Sequence, residues 1–362
     1  MKYLITLKPL EPFMFGGQNT FGSLGEGTGS YIVKSNMFPQ QTAILGMLQH
    51  EVMCHVGLLT RKRRGEWVDK ELKSRVKDAV GNEKFSLTAS HIQEFGAIKS
   101  ISSVFLMQGD KRYIKKANTQ KYSYILENQK PILKYMDRDK EKKFNEKESY
   151  SLYDYYTCLE DGLPLKKEDI FKEVKQVGNQ KTAKPTYLFK KDEQPTKDDT
   201  EDAYFKKRSY TLTKGFKFAF YLDYEVPVKF RFPNSVPDAT FELPKSSIIS
   251  LGADRGMFRM QVTLCEASCK GLVYEGNPDE LVLLSDSYIK LPIKECAEFA
   301  ITTEVEMRYL ERDKGKFAKS KAYYLYEKGS VFIKPKQALK DALNNKNLQN
   351  IGLNRHSQEK GA

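Results

Sequence analysis

The clearest hydrophobic pattern near the N-terminus is a short strand followed by a helix. Residues 3–7 are mostly apolar and β-favouring, which predicts a strand buried on at least one face. From Pro39 the pattern changes to a helical repeat, in which Ile44, Leu48 and Val52 fall on one side. Proline suits the first helical turn because amides there have no intrahelical acceptor. We therefore expect a first helix that starts at Pro39 and packs on a sheet.

The remaining pattern predicts a mixture of strands and short helices. Alternating or β-branched segments indicate strands, and a period near 3.6 residues indicates helices. Such an order is typical of ferredoxin-like α+β units with antiparallel strands. The further strands are expected around Ile92 and over residues 98–107, 210–224, 226–232, 258–264, 271–284, 300–310 and 323–333, and the further helices between Trp67 and Val80 and over residues 246–250 and 336–343.

A long polar segment in the middle of the chain predicts an extended hairpin. Residues 176–182 lead into a stretch rich in lysine and acid, which ends near Lys206, Lys207 and Arg208 before a strand pattern resumes. Two strands that flank a polar tip make such a hairpin. The tip, residues 190–202, has too little apolar content to fold alone, so it is either disordered or ordered by a partner.

Composition and charge favour a soluble cytoplasmic protein with a polyanionic partner. The chain has 362 residues, and 60 Lys+Arg against 47 Asp+Glu give a net charge of +13. This length suffices for two domains, and the basic balance suits a polyanion, although it can also serve solubility alone. Five scattered cysteines without CxxC pairs indicate neither a disulfide framework nor a zinc site. We find no signal peptide and no run of about 18 apolar residues, so no membrane association is expected.

Two glycine-flanked turns are the candidate anion-binding elements. The first is the glycine-rich loop after the first strand together with the helix start, where free amides attract anionic oxygens. The second, residues 251–256, brackets an arginine with glycines and can wrap a phosphate through backbone amides. The glycine spacing matches neither a dinucleotide-binding nor a P-loop fingerprint. Both elements also have an ordinary interpretation, as a mobile loop and a tight turn.

These features together resemble the RAMP superfamily of CRISPR proteins. The resemblance depends on the short first strand with its glycine-rich loop, on FPQQTAILGML at residues 38–48, on LGADRG at 251–256, and on GSVFIKP at 329–335 with IGL at 351–353. Within the superfamily, the size and order of these segments are similar to the third Cmr subunit of type III-B effector complexes.

The resemblance implies an α+β fold with two ferredoxin-like (RRM-like) domains, residues 1–210 and 211–362, with glycine-rich loops and a β-hairpin thumb around residues 178–208. It implies no catalytic activity, no cofactor and no metal. The implied partners in a hetero-oligomer are the crRNA, whose 5′ tag the family grips, the large polymerase-like (Cas10-type) subunit, a Cmr backbone subunit and, indirectly, target RNA. The candidate RNA-binding residues are Gly16, Gly17, Gln18, Pro39, Gln40, Gln41, Thr42, Gly46, Gly178, Asn179, Gln180, Lys181, Thr182, Lys206, Lys207, Arg208, Gly252, Asp254, Arg255, Gly256 and Arg259.

Three functional hypotheses are open at this point. The first is a non-catalytic scaffold that binds guide RNA. The second is a RAMP-type endoribonuclease that processes precursor CRISPR RNA, with His50 or His55 as general acid or base. The third is a basic structural protein that touches only other proteins. Four histidines without a His/Tyr/Lys cluster argue against the second, and no polymerase, phosphohydrolase, zincin or serine-hydrolase motif occurs.

Overall fold

The computed structural model describes residues 1–17, 19–21, 31–58, 70–81, 85–117, 122–127, 130–136, 141–142, 155–183, 200–225, 243–252, 254–265, 272, 274, 277–313 and 316–358. The helices are α1 Gln41–His55, α2 Lys70–Val80, α3 Lys167–Ile170, α4 Ile293–Cys296, α5 Gln337–Leu343 and α6 Lys346–Asn350. The strands are β1 Lys2–Pro9, β2 Asn19–Phe21, β3 Tyr31–Lys34, β4 Ile98–Ile101, β5 Phe105–Gln108, β6 Lys111–Lys115, β7 Tyr122–Glu127, β8 Lys130–Met136, β9 Glu141–Lys142, β10 Tyr155–Cys158, β11 Pro164–Lys166, β12 Phe171–Ala183, β13 Thr200–Leu212, β14 Phe216–Tyr224, β15 Ser246–Leu251, β16 Gly256–Leu264, β17 Glu280–Val282, β18 Ala297–Ile301, β19 Glu304–Met307, β20 Leu310–Asp313, β21 Lys316–Lys319, β22 Tyr323–Tyr326 and β23 Val331–Pro335.

A nine-stranded antiparallel sheet forms the centre of the fold. Its order is β11-β10-β6-β5-β14-β1-β16-β15, and β4 also pairs with β14. The predicted strand at residues 3–7 is confirmed, since β1 pairs antiparallel with both β14 and β16. The fold is therefore mixed α+β with mostly antiparallel sheets. The boundary expected after residue 210 stays a prediction, although strands from both sides of it share this sheet.

Helix α1 covers one face of the central sheet and confirms the predicted amphipathic pattern. Ile44, Leu48 and Val52 are buried in one apolar cluster with aromatic side chains of the sheet such as Phe218 and Phe258. Burial of each such side chain contributes about 1.5–3 kcal/mol. The repeat thus fixes which side of α1 faces the sheet.

The predicted start of α1 is wrong by two residues. The helix begins at Gln41, and its N-cap residue, Gln40, keeps an extended backbone with φ −66° and ψ 144°. Pro39 lies before the cap. Its fixed φ angle is compatible with the extended approach to the helix as well as with the first turn, so the sequence pattern did not locate the exact boundary.

The hairpin and the C-terminal strands form smaller sheets. Strands β12 and β13 pair antiparallel along their whole length, and they belong to a four-stranded sheet of order β12-β13-β3-β2. Strands β17, β23 and β18 form a three-stranded sheet, against which α5 buries Leu339 and Leu343 in a second apolar cluster. The expected hairpin strands are present, whereas most of the expected tip, residues 190–199, lies outside the described residues.

Several local predictions differ from the structure. Residues 246–250, expected as a short helix, belong to β15, because pairing with β16 satisfies their backbone. No strand forms at Ile92, which is 65% exposed in a described loop, and of residues 271–284 the strand covers Glu280–Val282. Cys265 is disulfide-bonded, a pairing that the sequence did not indicate. The strand expected at 226–232 lies outside the described residues.

Among the described helices none is long and apolar enough to cross a membrane.

Candidate nucleic-acid interface

The base of the β12/β13 hairpin is joined to the segment that leads into α1. Strand β12 pairs antiparallel with one edge of β13, and β3 pairs parallel with the other edge. The last residue pair between β13 and β3 is Arg208 with Lys34. Directly opposed residues of a sheet share a face, and successive residues of a strand alternate between faces. The register therefore assigns each side chain at the hairpin base to one of two faces.

One face of the hairpin base is strongly basic. Arg208 lies between Lys175 of β12 and Lys34 of β3, and Lys206 lies two residues earlier on the same face. The three lysines are exposed. Arg208 forms an ion pair with Glu173, in which 3.3 Å separates the guanidinium from the carboxylate. We call Lys34, Lys175, Lys206 and Arg208 the basic face. A local excess of cations of this kind suits the phosphates of a nucleic acid.

The opposite face of the hairpin base contacts the second predicted turn. Lys207 forms an ion pair with Asp254, which lies in the turn between β15 and β16. In this turn Gly252 and Arg255 have left-handed backbones, with φ 97° and 54°. A Cβ at Gly252 would lie 2.5 Å from the carbonyl oxygen of Met14, so the close approach itself requires glycine. The fold thus brings together hairpin and turn residues that the sequence nominated separately.

The described start of the glycine-rich loop lies next to the basic face. The Nδ2 group of Asn36 donates a hydrogen bond to the carbonyl oxygen of Gly16 at 2.6 Å. A Cβ at Gly17 would collide with the carbonyl oxygen of Lys34. Gln18 lies outside the described residues. The loop therefore leaves β1 at a point that is held against the end of β3.

The start of α1 uses one of its candidate residues inside the fold. Gln41 is buried, and in the orientation that satisfies both ends of its side-chain amide it donates to the carbonyl oxygen of Ile351 at 3.2 Å and accepts from the amide of Val104 at 3.1 Å. The backbone amides of Gln41 and Thr42 have no acceptor among the described residues. Any ligand at this helix start would thus meet backbone amides, whereas the Gln41 side chain is occupied by the C-terminal segment.

The remaining candidate residues are more dispersed. Gly46 lies on the exposed side of α1, with no atom within 4 Å of an added Cβ. Gly256 pairs with Leu251 at the end of the turn. Arg259 lies in β16 next to the inward-facing Phe258, so it projects from the sheet face opposite α1. The backbone of residues 178–182 belongs to β12, and their side chains are outside the description.

A cavity of about 260 Å³ lies beside the start of α1 and combines both signs of charge. Phe38 and Pro39 form part of its wall, and β19 forms another part. Because lysines and carboxylates both line it, its charge alone does not select an anion. The charged lining residues are Lys34, Lys167, Lys328, Asp286, Glu304, Glu306 and Glu327.

The two histidines of the nuclease hypothesis lie away from this region. His50 and His55 are the tenth and last residues of α1, so at 1.5 Å per residue they are about 14 and 21 Å along the axis from its first residue. His50 is exposed and lies 3.5 Å from a carboxylate oxygen of Glu51 and 3.6 Å from the sulfur of Cys54. Among the described residues, no group of three His, Cys, Asp or Glu side chains could hold a metal ion.

A comparison with protein-family models relates the first part of the chain to a known family. Residues 5–140 match the family described as CRISPR-associated protein (Cas_Cmr3). The predicted resemblance to the Cmr3 family is confirmed. The matched residues contain most of β1, the start of the glycine-rich loop, β3 and α1. They therefore include Lys34 of the basic face and the predicted helix-start site of this Cmr3-like chain.

Comparison with solved structures gives matches along nearly the whole Cmr3-like chain. A chain in a cryo-EM structure of the type III-B Cmr-beta bound to cognate target RNA has a TM-score of 0.48 and 14% identity, covering 98% of this chain and 96% of that chain. A chain in a crystal structure of the Csm3-Csm4 subcomplex of the type III-A CRISPR-Cas interference complex has a TM-score of 0.37 and 12% identity, covering 92% and 93%. No curated protein sequence matches this chain. The resemblance to the family therefore rests on residues 5–140.

Sequence reasoning missed two members of the basic face of this Cmr3-like chain. Lys34 and Lys175 were not among the candidate residues, although they flank Arg208 directly. The two-residue alternation of β12 places Lys175 on the same face as the neighbouring Glu173 and Val177, a signal that the sequence does contain. Lys34 had no comparable signal, because its position depends on the parallel pairing of β3 with a strand about 170 residues later.

Proposed function

We propose that this Cmr3-like chain is a non-catalytic subunit of a type III-B CRISPR effector complex that binds crRNA and holds its 5′ tag. The observation that carries the proposal is the basic face, in which Lys34, Lys175, Lys206 and Arg208 adjoin the start of the glycine-rich loop. Phosphate contacts position a nucleic acid without reading its sequence, and single strands are recognised through their backbone and splayed bases. The basic face, which adjoins backbone amides of the glycine-rich loop, is suited to positioning a nucleic acid through its phosphates.

The finer features of the proposal follow the family resemblance. The β12/β13 hairpin acts as the thumb, and the chain consists of two ferredoxin-like units divided after residue 210. It bridges the large polymerase-like subunit to a backbone subunit in the cytoplasm. Support comes from the family match over residues 5–140 and from the antiparallel hairpin, whose base carries cations on both faces.

Salt-dependent binding tests the role of the basic face. Each phosphate neutralised on a single strand contributes about 0.7 to the slope of log affinity against log salt concentration. A variant with Lys34→Gln, Lys175→Gln and Lys206→Gln should therefore bind a 5′-tag RNA more weakly, with a slope reduced by about 2. Fluorescence anisotropy with labelled RNA over a series of salt concentrations measures both quantities.

A matched control separates a specific site from general charge. The variant Lys294→Gln, Lys336→Gln and Lys346→Gln removes the same number of exposed lysines away from the hairpin base. It should lose much less slope than the basic-face variant. Equal losses in the two variants, or no loss in either, would refute the basic face as the RNA contact.

A further inference from the structure

The face of the central sheet turned away from α1 carries a row of cations across three adjacent strands. Arg259 of β16 is directly opposite Lys8 of β1. On the other edge of β1, Leu7 opposes Phe218, so the next position of the antiparallel register sets Lys8 beside Lys217 of β14. Lys8 and Arg259 are exposed, and Lys217 is half-buried. We call Lys8, Lys217 and Arg259 the cationic row.

None of the three cations of the row forms an ion pair with a described acidic side chain. Like charges directly opposite one another destabilise a sheet, whereas opposite charges stabilise it. The other end of β1 has such a partner, because Lys2 opposes Asp223 and lies 5.5 Å from the ring centroid of Tyr221. Near the row, the exposed carboxylate of Glu11 accepts a hydrogen bond from the amide of Met257 at 2.8 Å. The row therefore sets like charges side by side without a direct ion pair, whereas the other end of β1 places Lys2 opposite Asp223.

Exposed aliphatic side chains border the row. Ile248 of β15 is directly opposite Arg259 and is 50% exposed. Met257 lies two residues before Arg259 on the same face and is 40% exposed, and Leu10, whose amide donates to the carbonyl oxygen of Met257, is 47% exposed. Phe258 points to the other face and is fully buried. The surface thus combines cations with aliphatic groups and lacks the aromatic rings on which single-stranded bases stack.

We propose that this surface, made by the cationic row with Leu10, Met257 and Ile248, docks an acidic segment of a partner protein that also presents aliphatic side chains. Carboxylates of the segment would neutralise Lys8 and Arg259, and its apolar side chains would cover Ile248 and Met257. Electrostatic complementarity of this kind sets partner choice and register. The proposal rests on the proposed membership of a multi-subunit complex, but it concerns a surface on the opposite side of the sheet from α1.

Zero-length crosslinking in a reconstituted complex tests the proposal. The full chain is co-expressed with the other subunits of its effector complex and with crRNA, purified, and treated with a carbodiimide, which joins lysine amines to carboxylates in direct contact. Mass spectrometry should find Lys8 or Lys217 joined to Asp or Glu of another subunit. In the double variant Lys8→Glu and Arg259→Glu, the affinity for that subunit should fall by about tenfold or more, whereas Lys8→Arg with Arg259→Lys should retain it.

Two controls make failure of this proposal distinguishable from failure of RNA binding. Thr263→Glu adds one acidic group at an exposed position of β16 away from the row and should leave assembly unchanged. The isolated Lys8→Glu, Arg259→Glu chain should fold, as judged by circular dichroism. The isolated Lys8→Glu chain, which keeps the RNA-binding candidate Arg259, should bind 5′-tag RNA as wild type does. Lysine crosslinks of the row to RNA, or a loss of RNA affinity in this variant, would assign the surface to RNA instead. Normal assembly of the folded variant would refute the docking site.

Discussion

Lys328 provides a quantitative test of the packing around the start of α1. Its ammonium group lies 3.1 Å from the ring centroid of Phe38 and 3.5 Å from the carbonyl oxygen of Val104. Burial lowers the pKa of Lys328 from its ordinary value near 10.5 to about 8, against the opposing effect of the nearby carboxylates of Asp286 and Glu327 and with a smaller contribution from Lys115. The folded state therefore carries this charge at a cost.

The sign and size of the effect follow from proton linkage. Between about pH 8 and about pH 10.5 the unfolded chain keeps the proton of Lys328 while the folded protein has released it, so stability contributed by this group rises with pH. A shift from 10.5 to about 8 corresponds to at most about 3 kcal/mol at 1.36 kcal/mol per pKa unit. Lys328→Met removes the titrating group. The free energy of unfolding of wild type, measured relative to this variant, should thus rise by up to about 3 kcal/mol across that range.

Urea unfolding followed by circular dichroism at several pH values measures this difference. Ionisable groups common to both proteins largely cancel in the comparison. Lys328→Arg is the matched control, because a guanidinium stays charged throughout and should give no rise relative to Lys328→Met. A wild-type-to-methionine difference that is constant with pH would show that Lys328 is solvated, and the described packing of Phe38 against it would be wrong.

Three further predictions concern single side chains. Gly352→Ala should lower the free energy of unfolding by about 2 kcal/mol or more, because φ is 84° and an added Cβ meets a backbone carbonyl oxygen. Gly46→Ala, with open space around the added Cβ, should instead raise the free energy of unfolding by about 0.5–1 kcal/mol. Thermal unfolding compares the two variants. Asp254→Asn should change stability by less than about 1 kcal/mol in urea unfolding, since its ion pair with Lys207 is partly exposed. Repeat RNA incubated with wild type or with His50→Ala or His55→Ala in chelator should remain intact in every sample, as judged by gel electrophoresis; cleavage that a histidine variant abolishes would support the nuclease hypothesis.

Local patterns predicted the elements whose structure depends on near neighbours. The apolar face of α1 was predictable because Ile44, Leu48 and Val52 recur at helical spacing, and that face meets the sheet. The exact start of the helix was not predictable, because the fixed φ angle of Pro39 is compatible both with the extended approach to the helix and with its first turn. Residues 246–250 were too few to define a period, and their strand conformation comes from pairing with β16.

Features created by distant pairing were beyond sequence reasoning. Lys34 joins the basic face through β3, and Asp254 meets Lys207 across 47 residues of chain. The cationic row likewise depends on the order β14-β1-β16, which unites three distant segments. Residue type alone indicated that lysines and glycine turns were of interest. Which of them share a face required the sheet register.

Photocrosslinking tests the central claim most directly, namely that the base of the hairpin holds the tagged end of the guide. A crRNA with 4-thiouridine in its 5′ tag is assembled with the chain and its partner subunits, irradiated and digested, and the crosslinked peptides are identified by mass spectrometry. We predict crosslinks to peptides that contain residues 31–36 or 205–210, on either side of Lys34 and Arg208. Efficient crosslinks from the tag to other subunits or to α5 and α6, with none at the hairpin base, would contradict it.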